Sequence, residues 1–98
     1  MIYRIGRIEN LGKCTNLKVL KLRQNLIHKI EGLESNPNIE ELELYDNKIS
    51  EIENIGHLTK LLVLDLSFNK LKRISGLEGL KSIKKLFLSS NTIRKVLR

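Results

Sequence analysis

Few residues of this chain could do covalent or metal chemistry, and their spacing keeps them apart. His28 and His57 fall at different positions of the periodic unit described below, and neither has a nucleophile placed beside it. Ser67, Ser89 and Ser90 have no base in register with them. The single Cys14 can form no internal disulfide, and no Cys/His cluster has the spacing of a zinc site. Catalysis is therefore not expected, and neither is a metal or a cofactor. What remains is recognition. Glu43, Asp46 and Asp65 are carboxylates that would select a partner with basic patches. Tyr45, Phe68 and Phe87 are aromatic anchors of the kind that supply binding energy. Phe87 sits mid-strand and outward in the reading below, where it gains no core burial, and this favours a binding role. Phe68 suits either a binding role or a cover for a strand edge.

These side chains share a surface only if something places them at fixed intervals, and a repeat does so. Asn25, Asn47, Asn69 and Asn91 recur every 22 residues without a gap. Leu20, Leu42, Leu64 and Leu86 keep the same step, as do Leu22, Leu44, Leu66 and Leu88. Further apolar columns are Leu17/Ile39/Leu61/Ile83, Ile27/Ile49/Leu71/Ile93, Ile30/Ile52/Ile74/Val96 and Leu33/Ile55/Leu77. Ile5, Ile8, Leu11 and Cys14 fit the back half of an earlier unit, which makes Cys14 a buried, inert thiol by position. The alternation x-L-x-L-x has period two and predicts strands at about residues 19–23, 41–45, 63–67 and 85–89. After each Asn the apolar spacing becomes three, which suits a 3₁₀-like or irregular turn. The Asn side chain, both donor and acceptor, is suited to tying down backbone groups where strand gives way to turn. Asn10, Gly32, Asn54 and Gly76 form a column of residue types that tolerate positive φ. Asn36–Pro37 breaks the apolar pattern and is read as a local bend of the turn.

The unit L-x-x-L-x-L-x-x-N-x-I-x-x-I-x-x-L resembles a leucine-rich repeat of the 22-residue subclass. The resemblance implies an α/β-class repeat fold: an open right-handed solenoid, a short parallel sheet on its concave face, and 3₁₀ or irregular convex turns. One domain, residues 1–98, is expected. It divides into a partial repeat at 1–16, repeats at about 17–38, 39–60 and 61–82, and an incomplete repeat at 83–98. No polar-faced cap is evident at either end, so a fragment of a longer array or association through the C-terminal edge is expected. The outward columns of the concave face then read Val19/Glu41/Val63/Lys85, Lys21/Glu43/Asp65/Phe87 and Arg23/Tyr45/Ser67/Ser89.

Composition narrows the setting. Lys and Arg number 18 against 11 Asp and Glu, a net charge of +7, and 41% of residues are apolar, enough for a core. The charge is segregated: residues 1–30 carry +6, residues 31–69 carry −7, and residues 70–98 carry +8. The last segment holds Lys70, Lys72, Arg73, Lys81, Lys84, Lys85, Arg94, Lys95 and Arg98. Such a cluster could displace counterions from phosphates, but aromatic interleaving for base stacking is missing apart from Phe87, and solvated Lys and Arg on convex turns is the favoured reading. No apolar run is long enough to span a bilayer. The N-terminus lacks a signal-peptide core. No N-x-[ST] acceptor is present. A soluble, intracellular protein is expected.

The likeness extends beyond the repeat consensus. Residues 4–9 (RIGRIE), 22–27 (LRQNLI), 44–47 (LYDN), 51–54 (EIEN), 65–69 (DLSFN) and 84–88 (KKLFL) resemble the N-terminal repeats of the leucine-rich regulatory subunits of serine/threonine protein phosphatase 1. The resemblance implies a nuclear and cytoplasmic, non-enzymatic regulator that binds the phosphatase catalytic subunit through its concave face. The family's acidic and aromatic contact positions match Asp65 and Phe87. Glu43 and Lys21 share that column toward its less engaged end, and Tyr45, Asp46 and Phe68 flank it. The chain departs from the family in length, since the family has more repeats and a C-terminal cap. The alternatives are a scaffold of the same class for another partner, cytoskeletal or ciliary, and a fragment without independent function.

Overall fold

Because one apolar step of 22 residues runs through the chain, each unit can bury its leucines only against the unit before and the unit after. The computed structural model describes residues 3–96 and realises that stacking. Four strands, β1 (Val19–Lys21), β2 (Glu41–Glu43), β3 (Val63–Asp65) and β5 (Lys85–Phe87), form one parallel sheet in the order β1-β2-β3-β5. Leu20, Leu42, Leu64 and Leu86 stand opposite one another in register. Two further segments, β4 (Arg73–Ile74) and β6 (Lys95–Val96), pair in parallel beyond the Asn turn. The sequence pattern did not predict this second ladder. The molecule is a slab of 39 × 37 × 17 Å. No helix among the described residues is long and apolar enough to cross a membrane.

The strands are three residues long, shorter than the five predicted. The ladder nevertheless continues past them. Leu22, Leu44 and Leu66 N–H donate to the carbonyls of Glu43, Asp65 and Phe87 at 2.8–2.9 Å, and Gln24, Asp46 and Phe68 N–H donate to those of Tyr45, Ser67 and Ser89. The strand geometry ends early because Gln24, Asp46, Phe68 and Ser90 all adopt φ between 56° and 59°. This left-handed column turns each unit off the sheet, and the sequence pattern did not mark it. The predicted column did form: Asn10, Gly32, Asn54 and Gly76 have φ of 65°, 75°, 60° and 74°. Its residue types answer to the preceding unit. Asn54 Nδ2 donates to the Ile30 carbonyl at 2.7 Å. At Gly76 a Cβ would overlap the Ile52 carbonyl oxygen, so glycine is required there.

The convex side consists of single i→i−3 turns, as the spacing of three predicts. Asn36 N–H donates to Leu33 O, Leu58 to Ile55, Leu61 to Leu58 and Leu80 to Leu77, all at 2.9–3.1 Å. Asn36 is more than a bend. It is fully buried in a slot held by Leu58 and Leu80 in later units, and its Nδ2 donates to the carbonyls of Leu11 and Cys14 at 3.0 and 2.9 Å. Its Oδ1 is buried without a partner. Cys14, expected to be buried, is exposed, because its slot belongs to the first half-unit and only the following unit, through Asn36, packs on it among the described residues. End effects also reach Ile5 and Leu86, which are 46% and 37% exposed although they occupy framework columns. The continuous core lies between them, from Ile8 to Leu80. Arg98 and the side chains of Lys95 and Val96 lie outside the described residues.

The repeated Asn is the strongest joint between units. Asn47 Nδ2 donates to Leu44 O of its own unit at 3.0 Å and to Leu22 O of the preceding unit at 2.9 Å, while its Oδ1 accepts from Ile27 N–H at 3.0 Å. Asn69 repeats this on Leu66, Leu44 and Ile49, and Asn91 on Leu88, Leu66 and Leu71. Asn25 makes only the local bonds and one to Ile5 N–H. Asn47 and Asn69 are buried, whereas Asn25 and Asn91 are half-buried. Removing Asn47 strands the buried Ile27 N–H and two carbonyl bonds, so Asn47→Ala should cost about 3 kcal/mol and Asn25→Ala about 1 kcal/mol, read from urea unfolding midpoints. Gly76→Ala adds a left-handed penalty to a backbone overlap and should cost about 3 kcal/mol in the same measurement.

Candidate recognition face

The strand alternation sends Leu20, Leu42 and Leu64 inward and their neighbours outward, so the outward residues line the concave sheet in columns one strand apart. The central column is Lys21, Glu43, Asp65 and Phe87, as the register requires. The structure thus brings Glu43, Asp65 and Phe87 together on adjacent strands, with Tyr45, Asp46 and Phe68 along the same edge of the sheet.

The electrostatics divide this face. Lys21 Nζ lies 3.7 Å from Glu41 and 3.6 Å from Glu43, and Arg23 Nε lies 3.8 Å from Glu43. The Glu43 side chain is only 16% exposed. It is therefore satisfied by the first strand and is a poor candidate to recruit a basic partner. Asp65 is different. Its Oδ1 accepts from Ser67 N–H at 3.0 Å, and it enters no ion pair among the described residues. Beside it, Ser89 Oγ donates to Ser67 Oγ at 3.1 Å, a short polar ladder along the next column.

The aromatics occupy the other half. Phe87 is 46% exposed on the last strand. Phe68 is 47% exposed, and its left-handed backbone carries the ring over Tyr45, with centroids 5.1 Å apart and planes at 49°. A large side chain with φ of 57° is a costly choice. The ring contact with Tyr45 offsets part of the cost. Asp46 occupies the same left-handed position one unit earlier and is exposed.

The histidines stay apart, as expected. Both are exposed, and His57 Nε2 lies 2.8 Å from Leu33 O, a structural contact. Among the described residues no group of three or more His, Cys, Asp or Glu could hold a metal ion. The arrangement offers a rigid, open surface rather than an enclosed site.

Comparison with known proteins gives one family and one fold. The leucine-rich-repeat family model matches residues 15–57, 37–77 and 59–97. A crystal structure of an internalin from Listeria monocytogenes superposes with a TM-score of 0.73 at 25% identity, covering 88% of this chain and 29% of that one. The chain therefore spans less than a third of the length of the internalin it matches. No curated protein sequence matches the chain. The overlapping matches, the 22-residue register and the parallel sheet agree, and the chain belongs to the leucine-rich-repeat family, whose members are protein-interaction scaffolds.

Proposed function

We propose that this chain is a non-enzymatic protein-binding module that engages the catalytic subunit of serine/threonine protein phosphatase 1 through the concave face, in the nucleus and cytoplasm. The observation that carries the reading is the pairing of an exposed aromatic with a free acid: Phe87 is half-exposed on β5 and stands in register with Asp65, which has no ion-pair partner among the described residues. An outward ring on a rigid sheet is an anchor without an ordering cost. The choice of partner comes from the resemblance of residues 4–9, 22–27, 44–47, 51–54, 65–69 and 84–88 to protein phosphatase 1 regulatory subunit 7.

Scale sets the expected affinity. Four strands at about 4.8 Å spacing span roughly 14 Å, and with the hydrogen-bonded ladder running about five residues, some 17 Å, the face offers on the order of 250 Å². A standard interface takes about 800 Å² per partner. This chain supplies a minor part of one, so binding is weak and concentrated on few residues.

Calorimetry against the phosphatase catalytic subunit tests the reading. Asp65→Ala and Phe87→Ala should each weaken binding about tenfold, the effect of losing about 1.4 kcal/mol, while Lys81→Ala leaves it unchanged. Equal affinities for the three variants would remove the concave column from the proposal. Phe68 allows a cleaner separation of stability from binding. The left-handed strain of about 1–2 kcal/mol is comparable to the 0.5–1.5 kcal/mol of an aromatic pair. Phe68→Asn should therefore leave the urea midpoint at or above that of the parent while lowering affinity. A large loss of stability would mean that Phe68 serves the fold.

A further inference from the structure

Cations crowd the flank that follows the Asn turn in the last two units, away from the concave face. Ser50, Lys72 and Arg94 hold one repeat position in successive units, and Glu51 and Arg73 hold the next. These five side chains line a groove of about 410 Å³. Three are positive and one is negative. Arg73 and Glu51 touch at 3.5 Å with both side chains about half exposed, a weak pair that leaves the groove with surplus positive charge. Lys72 and Arg94 enter no ion pair among the described residues.

The cations are held close by the backbone. Arg94 N–H donates to Lys72 O at 2.8 Å, and β4 pairs with β6 so that Arg73 stands opposite Lys95. Neighbouring units are about 4.8 Å apart along such a ladder, so Lys72 and Arg94, at one repeat position in successive units, set like charges at a spacing that repels. On the concave sheet the same 22-residue step brings opposite charges together, as Lys21 meets Glu43. At this flank the chain sets one acid, Glu51, against three cations, and an external anion would balance the excess.

We propose that this groove binds a phosphate monoester, carried on a phosphorylated serine or threonine of a partner protein. Arg73 and Arg94 present planar forks of donors suited to phosphate oxygens, Lys72 adds a point charge, and the Ser50 hydroxyl adds a neutral donor. Glu51 at the rim disfavours a long polyanion and yields Arg73 to a doubly charged guest. No aromatic side chain lines the groove, so nothing there stacks nucleic-acid bases.

The test is an amide-shift titration of the 98-residue chain with a five-residue phosphoserine peptide, its unphosphorylated counterpart, inorganic phosphate and a ten-nucleotide single-stranded DNA. Saturable shifts at Ser50, Lys72, Arg73 and Arg94 are expected with the phosphopeptide. The same shifts at higher concentration are expected with inorganic phosphate, and none with the unphosphorylated peptide. Lys72→Ala and Arg94→Ala should each weaken the phosphopeptide about fivefold, and Glu51→Gln should strengthen it by about twofold. All three side chains are exposed, so the variants keep the fold. Shifts of equal size at Lys13, Lys18, Lys81 and Lys84, or affinities indifferent to the three substitutions, would overturn the site in favour of a diffuse basic surface. Tighter binding of the DNA, with a steep fall in added salt, would overturn the choice of ligand.

Discussion

The hydrogen bonds of the repeated asparagine are the constraint on which the rest depends. One side chain satisfies a carbonyl of its own unit, a carbonyl of the unit before, and an N–H of the unit before. All three groups lie where the chain leaves the sheet, a place where backbone polar groups would otherwise be buried without partners. The clamp runs in one direction, toward the N-terminus. Each unit is therefore secured by its successor, and a turn is only as well held as the next Asn is buried. Asn47 and Asn69 are 3% and 8% exposed, and they belong to the two units in which Leu42, Leu44, Leu64 and Leu66 are fully buried. Among the described residues Asn25 lacks the bond to a preceding unit's carbonyl while Asn91 keeps the full set, and at the two ends Ile5 and Leu86 emerge into solvent.

A fixed step of 22 residues has an electrostatic consequence. Side chains at the same or nearby positions of successive units become neighbours in space, so charge segregation along the sequence becomes charge pairing across units. The basic first segment meets the acidic middle one through Lys21 with Glu41 and Glu43, Arg23 with Glu43, and Arg7 with Glu31. These pairs are surface-exposed on the cationic side and contribute little each to stability. Their larger effect is to remove Glu43 from the set of available acids. Among the described residues the middle segment forms an ion pair with the basic last one through Glu51 and Arg73 alone. The surplus positive charge is thereby concentrated in the final units.

How much of this was legible follows from what each residue type can signal. Asn, Gly and Leu announce their roles: the clamp, the positive-φ column at residues 10, 32, 54 and 76, and the inward strand leucines were all readable. The second left-handed column holds Gln24, Asp46, Phe68 and Ser90, and of these only Asp has a tendency toward that conformation. Tertiary stacking imposes it, and it cuts the strands to three residues. Cys14 and Asn36 were misread for a related reason. Position in the unit predicts burial only when a neighbour covers the slot, which fails for Cys14. Asn36, read as a bend, instead fills the apolar slot, because the Leu11 and Cys14 carbonyls wait inside for its amide. On the concave face the membership of the central column was legible, but the pairing of Glu43 was not, since it depends on the reach of Lys21 and Arg23 across the sheet.

Phe68 marks the point where local preference and global fold disagree. Asn would suit its backbone, and Ser90 and Gln24 hold the same conformation with smaller or more flexible side chains. A ring there costs conformational energy and remains half in water, so neither core burial nor propensity accounts for it. Its contact with Tyr45 returns a comparable amount and orients both rings toward the concave edge. The consequence is a hydrophobic step beside Asp65, built on backbone that the Asn clamp holds rigid through Asn69. In a fold where nearly every other position is dictated by stacking, Phe68 is a strained aromatic that stacking does not need.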